Sequence, residues 1–109
     1  MRLLILIISI LMGSNVQSMA VVRKSIGAEQ SCAFWTNVRT DAGKLGMQSW
    51  ALGFVSGINW TTTGKDRLDH IDANAIYSWI DNYCGQHPLE TFANAVRSLA
   101  QELENRTRQ

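Results

Sequence analysis

Two cysteines, Cys32 and Cys84, are the only ones in a chain of 109 residues. What they do depends on redox compartment, and the N-terminal residues speak to that. Arg2 is followed by an apolar run from Leu3 to Met12, then by Gly13, Ser14 and further small residues. A short basic segment, an apolar core and a small-residue exit are the parts of a secretory signal peptide. The run is about half of the ~20 residues that a membrane span needs. The expectation is a signal peptide over residues 1–20, cleaved after Ser18 or Ala20. The mature domain, 21–109, would be periplasmic or secreted, with no stable membrane insertion. In a small exported domain an even cysteine count reads as a disulfide, and one pair has one connectivity. Closing a loop of about 50 residues contributes about 4 kcal/mol in the chain-entropy model. That is large beside the ~5–15 kcal/mol that holds a typical domain together.

The segments that this staple must join read as helices. Residues 21–28 carry no clear period and are expected to form a flexible arm. A short helix is expected from Glu29 to Arg39, packing through Cys32, Phe34 and Trp35. Gly43 and Gly46 punctuate the next stretch, where a second helix is expected from Lys44 to Trp60. Its Met47, Ala51, Phe54, Val55 and Ile58 fall on one helical stripe. Ser49, Gly53 and Gly57 form a second stripe at i, i+4, i+8. Glycine inside a helix costs about 1 kcal/mol relative to alanine. Gly53 and Gly57 are therefore expected where another helix comes close. Residues 61–71 are polar and turn-rich. Asp72 then caps a third helix running to about Gly85, with Ile76, Trp79, Ile80 and Tyr83 on its buried face. Pro88 and Glu90 suit the first turn of a fourth helix. Its apolar face is Leu89, Phe92, Ala93, Val96, Leu99, Ala100 and Leu103. No alternating strand pattern is present. The fold class expected is all-α: a small four-helix domain closed by one disulfide.

Charge narrows the function. Without Arg2 the chain has nine basic residues against nine acidic ones. There is no basic stripe for nucleic acid and no polybasic patch for anionic lipid. A neutral domain repels its own copies weakly, which favours self-association, so a homodimer is compatible with the charge.

The chemistry-bearing residue types do not assemble into a catalytic pattern. His70 and His87 lack further ligands at metal-site spacing, so no metal and no cofactor is expected. Neither cysteine is spare for nucleophilic catalysis. No nucleophile elbow or phosphate-binding glycine loop occurs, and no carboxylate pair sits in an apolar setting. The expectation is a protein without enzymatic activity. Asn59-Trp60-Thr61 and Asn105-Arg106-Thr107 match the glycosylation sequon. Of the four tryptophans, Trp60 alone ends a helix at a polar loop. It is the candidate anchor of an interaction surface, with Asp66, Asp69 and His70 of that loop beside it.

The order of these features carries a resemblance. A cysteine in the first helix is followed by Trp50-Ala51-Leu52-Gly53-Phe54-Val55-Ser56-Gly57. Then come an acidic loop, Asp72, and Trp79-Ile80-Asp81-Asn82-Tyr83-Cys84. After Pro88 a terminal helix ends in Gln101-Glu102-Leu103. Over about residues 32–103 this resembles the small periplasmic proteins of the HdeA/HdeB acid-stress chaperone type. Similar architecture occurs in periplasmic immunity proteins that neutralise cell-wall amidases delivered by type VI secretion. The first resemblance implies a stress-response chaperone that binds unfolded clients at low pH. There, protonation of nine carboxylates would leave about nine positive charges, or eleven with both histidines charged. Client-holding surface would come from around Phe54, Ile58, Trp79 and Phe92. The second implies a binder of one specific toxin or enzyme partner.

Overall fold

The computed structural model describes residues 25–38 and 40–108. The expected signal peptide, its two cleavage positions and residues 21–24 of the expected arm lie outside the described residues. The described residues form four helices and no strand: α1 (Cys32–Asn37), α2 (Asp41–Thr61), α3 (Ala73–Gln86) and α4 (Phe92–Thr107). The fold is a small all-α domain.

Each helix starts at a side-chain cap that takes an otherwise orphan amide. Ser31 Oγ accepts from the Phe34 amide at 3.1 Å and Thr40 Oγ1 from Gly43 at 3.2 Å. Asp72 Oδ1 accepts from Ala75 at 2.8 Å and Thr91 Oγ1 from Asn94 at 3.1 Å. These caps move three expected boundaries. The first helix is six residues rather than eleven. The second begins at Asp41, ahead of the expected Lys44, so that Gly43 also lies inside it. The fourth begins at Phe92, so Pro88 and Glu90 precede it. The 88–90 backbone is committed elsewhere. Pro88 O accepts from the Ala33 amide and Glu90 O from the Cys32 amide, and Phe92 N donates to Gln30 O at 2.8 Å. Ser31 and Thr91 thereby form an antiparallel bridge between the entries to α1 and α4. Leu89, expected on the buried face, is instead 97% exposed in this turn.

Cys32 and Cys84, both fully buried, form the disulfide that joins α1 to α3 across 52 positions of sequence. A structural disulfide belongs to an oxidising, exported compartment. Trp35, one turn after Cys32, is the packing hub. Its indole is fully buried and stacks on Phe92 at 5.1 Å between ring centroids. Its Nε1 donates to Asp81 Oδ1 at 2.7 Å, so the one polar atom of the ring is satisfied. Lys44 Nζ lies 3.8 Å above the ring. A six-residue helix thus reaches all three longer ones. Its other aromatic residue, Phe34, turns outward and is half exposed, because only Cys32 and Trp35 share the inner face.

From α2 the core takes Met47, Ala51 and Val55, with Phe54 and Trp50 packed at its edge. From α3 it takes Ile76, Ile80 and Cys84, a strict i, i+4 row, which leaves Trp79 and Tyr83 half-buried on the flank. From α4 it takes Phe92, Ala95, Val96, Leu99 and Leu103. The described end of the expected arm is anchored, not loose. Ala28 is buried, and Trp50 Nε1 donates to Ile26 O at 2.7 Å. Between them Gly27 takes a φ of +90°, a conformation that favours glycine. An added Cβ there would also meet the Trp50 ring at 3.1 Å.

Candidate interaction surface

The side of α2 that faces away from the core carries almost no side-chain bulk. Gly46, Ser49, Gly53, Gly57 and Trp60 lie at i, +3, +7, +11 and +14, one face of the helix, and all five are exposed. A Cβ built on Gly46, Gly53 or Gly57 would have nothing within 4 Å. This corrects the expectation that Gly53 and Gly57 pack against a second helix within the domain. Burial of Met47, Ala51 and Val55 fixes the rotation of α2, and that rotation turns the glycine stripe to solvent. Of the other residues expected to pack, Phe54 stacks on Trp50 at 5.1 Å and Trp79 on Tyr83 at 5.3 Å, each half-buried at the core edge.

No Asp, Glu, Lys or Arg occurs from Leu45 to Gly64. The exposed face of α2 is therefore uncharged as well as flat. Leu45 stands out near one end, 63% exposed, and Trp60 at the other, 88% exposed. Sequence reasoning identified Trp60 but missed Leu45, which sits on an amphipathic helix without belonging to its buried stripe.

The loop after Trp60 is held to α2 by one side chain. Asn59 Nδ2 donates to Asp66 Oδ1 at 2.8 Å, and Asn59 Oδ1 accepts from the Arg67 amide at 2.9 Å. Asp66 Oδ1 also accepts from the Leu68 amide. The Asn59 amide, followed by the Leu68 amide, holds the Asp66 carboxyl below its ordinary value of 3.8, although the group is fully exposed. Both ends of the Asn59 carboxamide are thus engaged in holding the loop, which gives its sequon position a structural role. Arg67 Nη1 donates to Thr62 Oγ1 at 2.6 Å.

Asp69 and His70 lie further along, both exposed, with His70 Nε2 3.5 Å from Asp69 Oδ2. His70 adopts a φ of +62°, a left-handed turn that leads the chain into the Asp72 cap. Asp66 is thus tied to the helical turn that carries Trp60. Asp69 and His70 form a separate pair, with no hydrogen bond to Trp60 among the described residues. Also among the described residues, no group of three or more His, Cys, Asp or Glu side chains is placed to hold a metal ion. No described helix is long and apolar enough to cross a membrane.

No family model matches the chain, and comparisons with characterised proteins and with solved structures find no match.

Proposed function

We propose that this chain is a non-enzymatic exported protein, periplasmic in setting, that acts by binding another protein through the exposed face of α2. The observation that carries this reading is the uncharged, side-chain-poor strip ending in Trp60. A large aromatic held clear of its own domain beside a flat helix face is the anatomy of an interface anchor. The rigid base favours selective recognition, as in the immunity-type reading. Trp60 stands on a 21-residue helix whose inner face is locked into the core, so the anchor is pre-positioned and little ordering is needed on binding.

The acid-stress chaperone reading is the second mode of the same activity. Its client surface would have to come from residues that are packed at neutral pH, since Phe92 is fully buried and Phe54, Ile58 and Trp79 are half-buried. One observation favours it: Asp66 is a carboxylate whose hydrogen bonds hold the loop, and protonation weakens them.

A tagged chain and its Trp60→Ala variant, offered to periplasmic extract at pH 7, test the first mode. One stoichiometric partner is expected on the native chain, with affinity about 30-fold lower for the variant, as for truncation of an anchor tryptophan. Equal retention by both removes Trp60 from the surface. Light scattering of an acid-labile protein at pH 2–3 tests the second mode. Suppressed aggregation with loss of tryptophan packing supports the chaperone. A persistent fold with unchanged aggregation leaves selective binding alone.

A further inference from the structure

Trp60 stands 88% exposed at one end of the α2 strip, and Gly46 lies bare at the other. Between them the residues are placed symmetrically about Gly53. Gly46 and Trp60 lie seven residues to either side of it, and Ser49 and Gly57 lie four to either side. Seven residues make about two helical turns and four make about one, so the five share one face. The largest side chain on that face is thus as far from Gly53 as the bare Gly46 turn, in the opposite direction.

A face ordered in this way is complementary to itself when turned about a two-fold axis at Gly53. Trp60 of each copy would lie on the Gly46 turn of the other, with Leu45, itself 63% exposed, as a wall beside it. Ser49 would meet Gly57, and Gly53 would meet Gly53, small residues that let two helix backbones approach closely. A Cβ at Gly46, Gly53 or Gly57 has nothing of its own domain within 4 Å, so a second helix meets no obstacle there. Parallel pairing lacks this fit: it sets Trp60 against Trp60 and leaves glycine facing glycine.

Charge points the same way. The strip is uncharged from Leu45 to Gly64, so neither copy repels the other along it. Lys44, just before it, is folded back over the Trp35 ring. The next charges outward are Asp41 and Lys65, both exposed and twelve residues to either side of Gly53. Antiparallel pairing sets the Asp41 end of one copy beside the Lys65 end of the other, whereas parallel pairing sets like beside like.

We propose, on the protein-binding reading of the α2 face, that a second copy of this chain occupies that face when no tighter partner does, in an antiparallel contact with its two-fold axis at Gly53. A contact of one helix pair falls below the ~1,200 Å² of a stable interface, so the dimer forms at micromolar concentrations or above and yields to a tighter partner. Self-association then keeps Trp60 covered until that partner arrives.

Sedimentation velocity of the pure full chain, from about 1 μM to about 1 mM, reads the dimer. A shift from monomer to dimer is expected, about 30-fold weaker for Trp60→Ala. Gly46→Leu fills the seat without touching its own domain, so it should fold and weaken the dimer about tenfold. Mild oxidation of single-cysteine additions reads the register, since Cys32 and Cys84 are already bonded and buried. Gly53→Cys should link to itself, because at the axis the two Cα atoms come within the ~4.4–6.8 Å that a disulfide spans. Ser49→Cys should link to Gly57→Cys when the two are mixed, but not to itself, its own copies being about 12 Å apart along the helices. A chain that stays monomeric at about 1 mM overturns the proposal. If Trp60-dependent capture from extract then persists, the face belongs to that other partner, and the protein-binding reading stands without the dimer. A dimer indifferent to Trp60→Ala and Gly46→Leu, or one that links Ser49→Cys to itself, also overturns it.

Discussion

At the residue scale, glycine position separates two effects with opposite signs. Gly53 faces open space, so Gly53→Ala should raise stability by up to about 1 kcal/mol through helix propensity alone. Gly43 sits in the first turn of α2, where a Cβ would meet the Thr40 cap hydroxyl at 2.7 Å and a Val38 methyl at 3.0 Å. Gly43→Ala should therefore lower stability by displacing the cap, about 1 kcal/mol or more. Urea midpoints of the two variants give the comparison, and the same sign for both would contradict the orientation of α2. Asp66 supplies a pH dependence. Its folded-state pKa is depressed, so its stabilising contribution is complete above the ordinary value of 3.8 and fades as pH falls through the lower folded value. An NMR titration should find Asp66 still ionised below 3.8, and Asn59→Ala should return it toward that value. An unchanged titration in the variant would show that Asn59 is not the cause.

At the element scale, the caps decide where helices begin. Thr91→Ala and Asp72→Ala should each cost about 1 kcal/mol, read from thermal or denaturant melts. The Thr91 change should also weaken the Ser31–Thr91 bridge region, seen as faster amide exchange at Cys32 and Phe92. The existence of the four helices was legible in the sequence because their apolar stripes recur at helical spacing, most clearly from Phe92 to Leu103. The Asp72 cap was legible for a similarly local reason, and the cysteine pairing because two cysteines allow one connectivity. The start of α4 was not. Pro88 and Glu90 are good first-turn residues, but the Thr91 cap and the long-range demand of the Cys32 and Ala33 amides for their carbonyls hold them out of the helix. The outward turn of Gly53 and Gly57 was hidden for a related reason. A small-residue stripe has the same spacing whether it meets a neighbour or solvent, and the rotation of α2 is set by Met47, Ala51 and Val55. Trp60 could be singled out because a helix end and a polar loop meet there.

At the scale of the whole molecule, the short α1 holds the longer helices together by a disulfide, an indole hub and a backbone bridge. Cys84→Ser should lower stability by roughly 2–5 kcal/mol, the usual cost of losing a native disulfide from a small secreted domain. A reduced protein with an unchanged denaturation midpoint would show that the indole and bridge contacts suffice. The same arrangement orders events in time. The α3–α4 hairpin closes over a handful of residues, whereas α1 must return across 52 positions to reach it. During synthesis Cys32 is made long before Cys84 exists. In that interval its only cysteine partners are on other molecules. The Cys84 thiol then arrives on the hairpin that also carries the carbonyls of Pro88 and Glu90, the acceptors for the amides at the start of α1. The Cys32–Cys84 bond therefore cannot form until that hairpin has been made. A mixed disulfide at Cys32 is the trap that slow completion of the C-terminal third would expose.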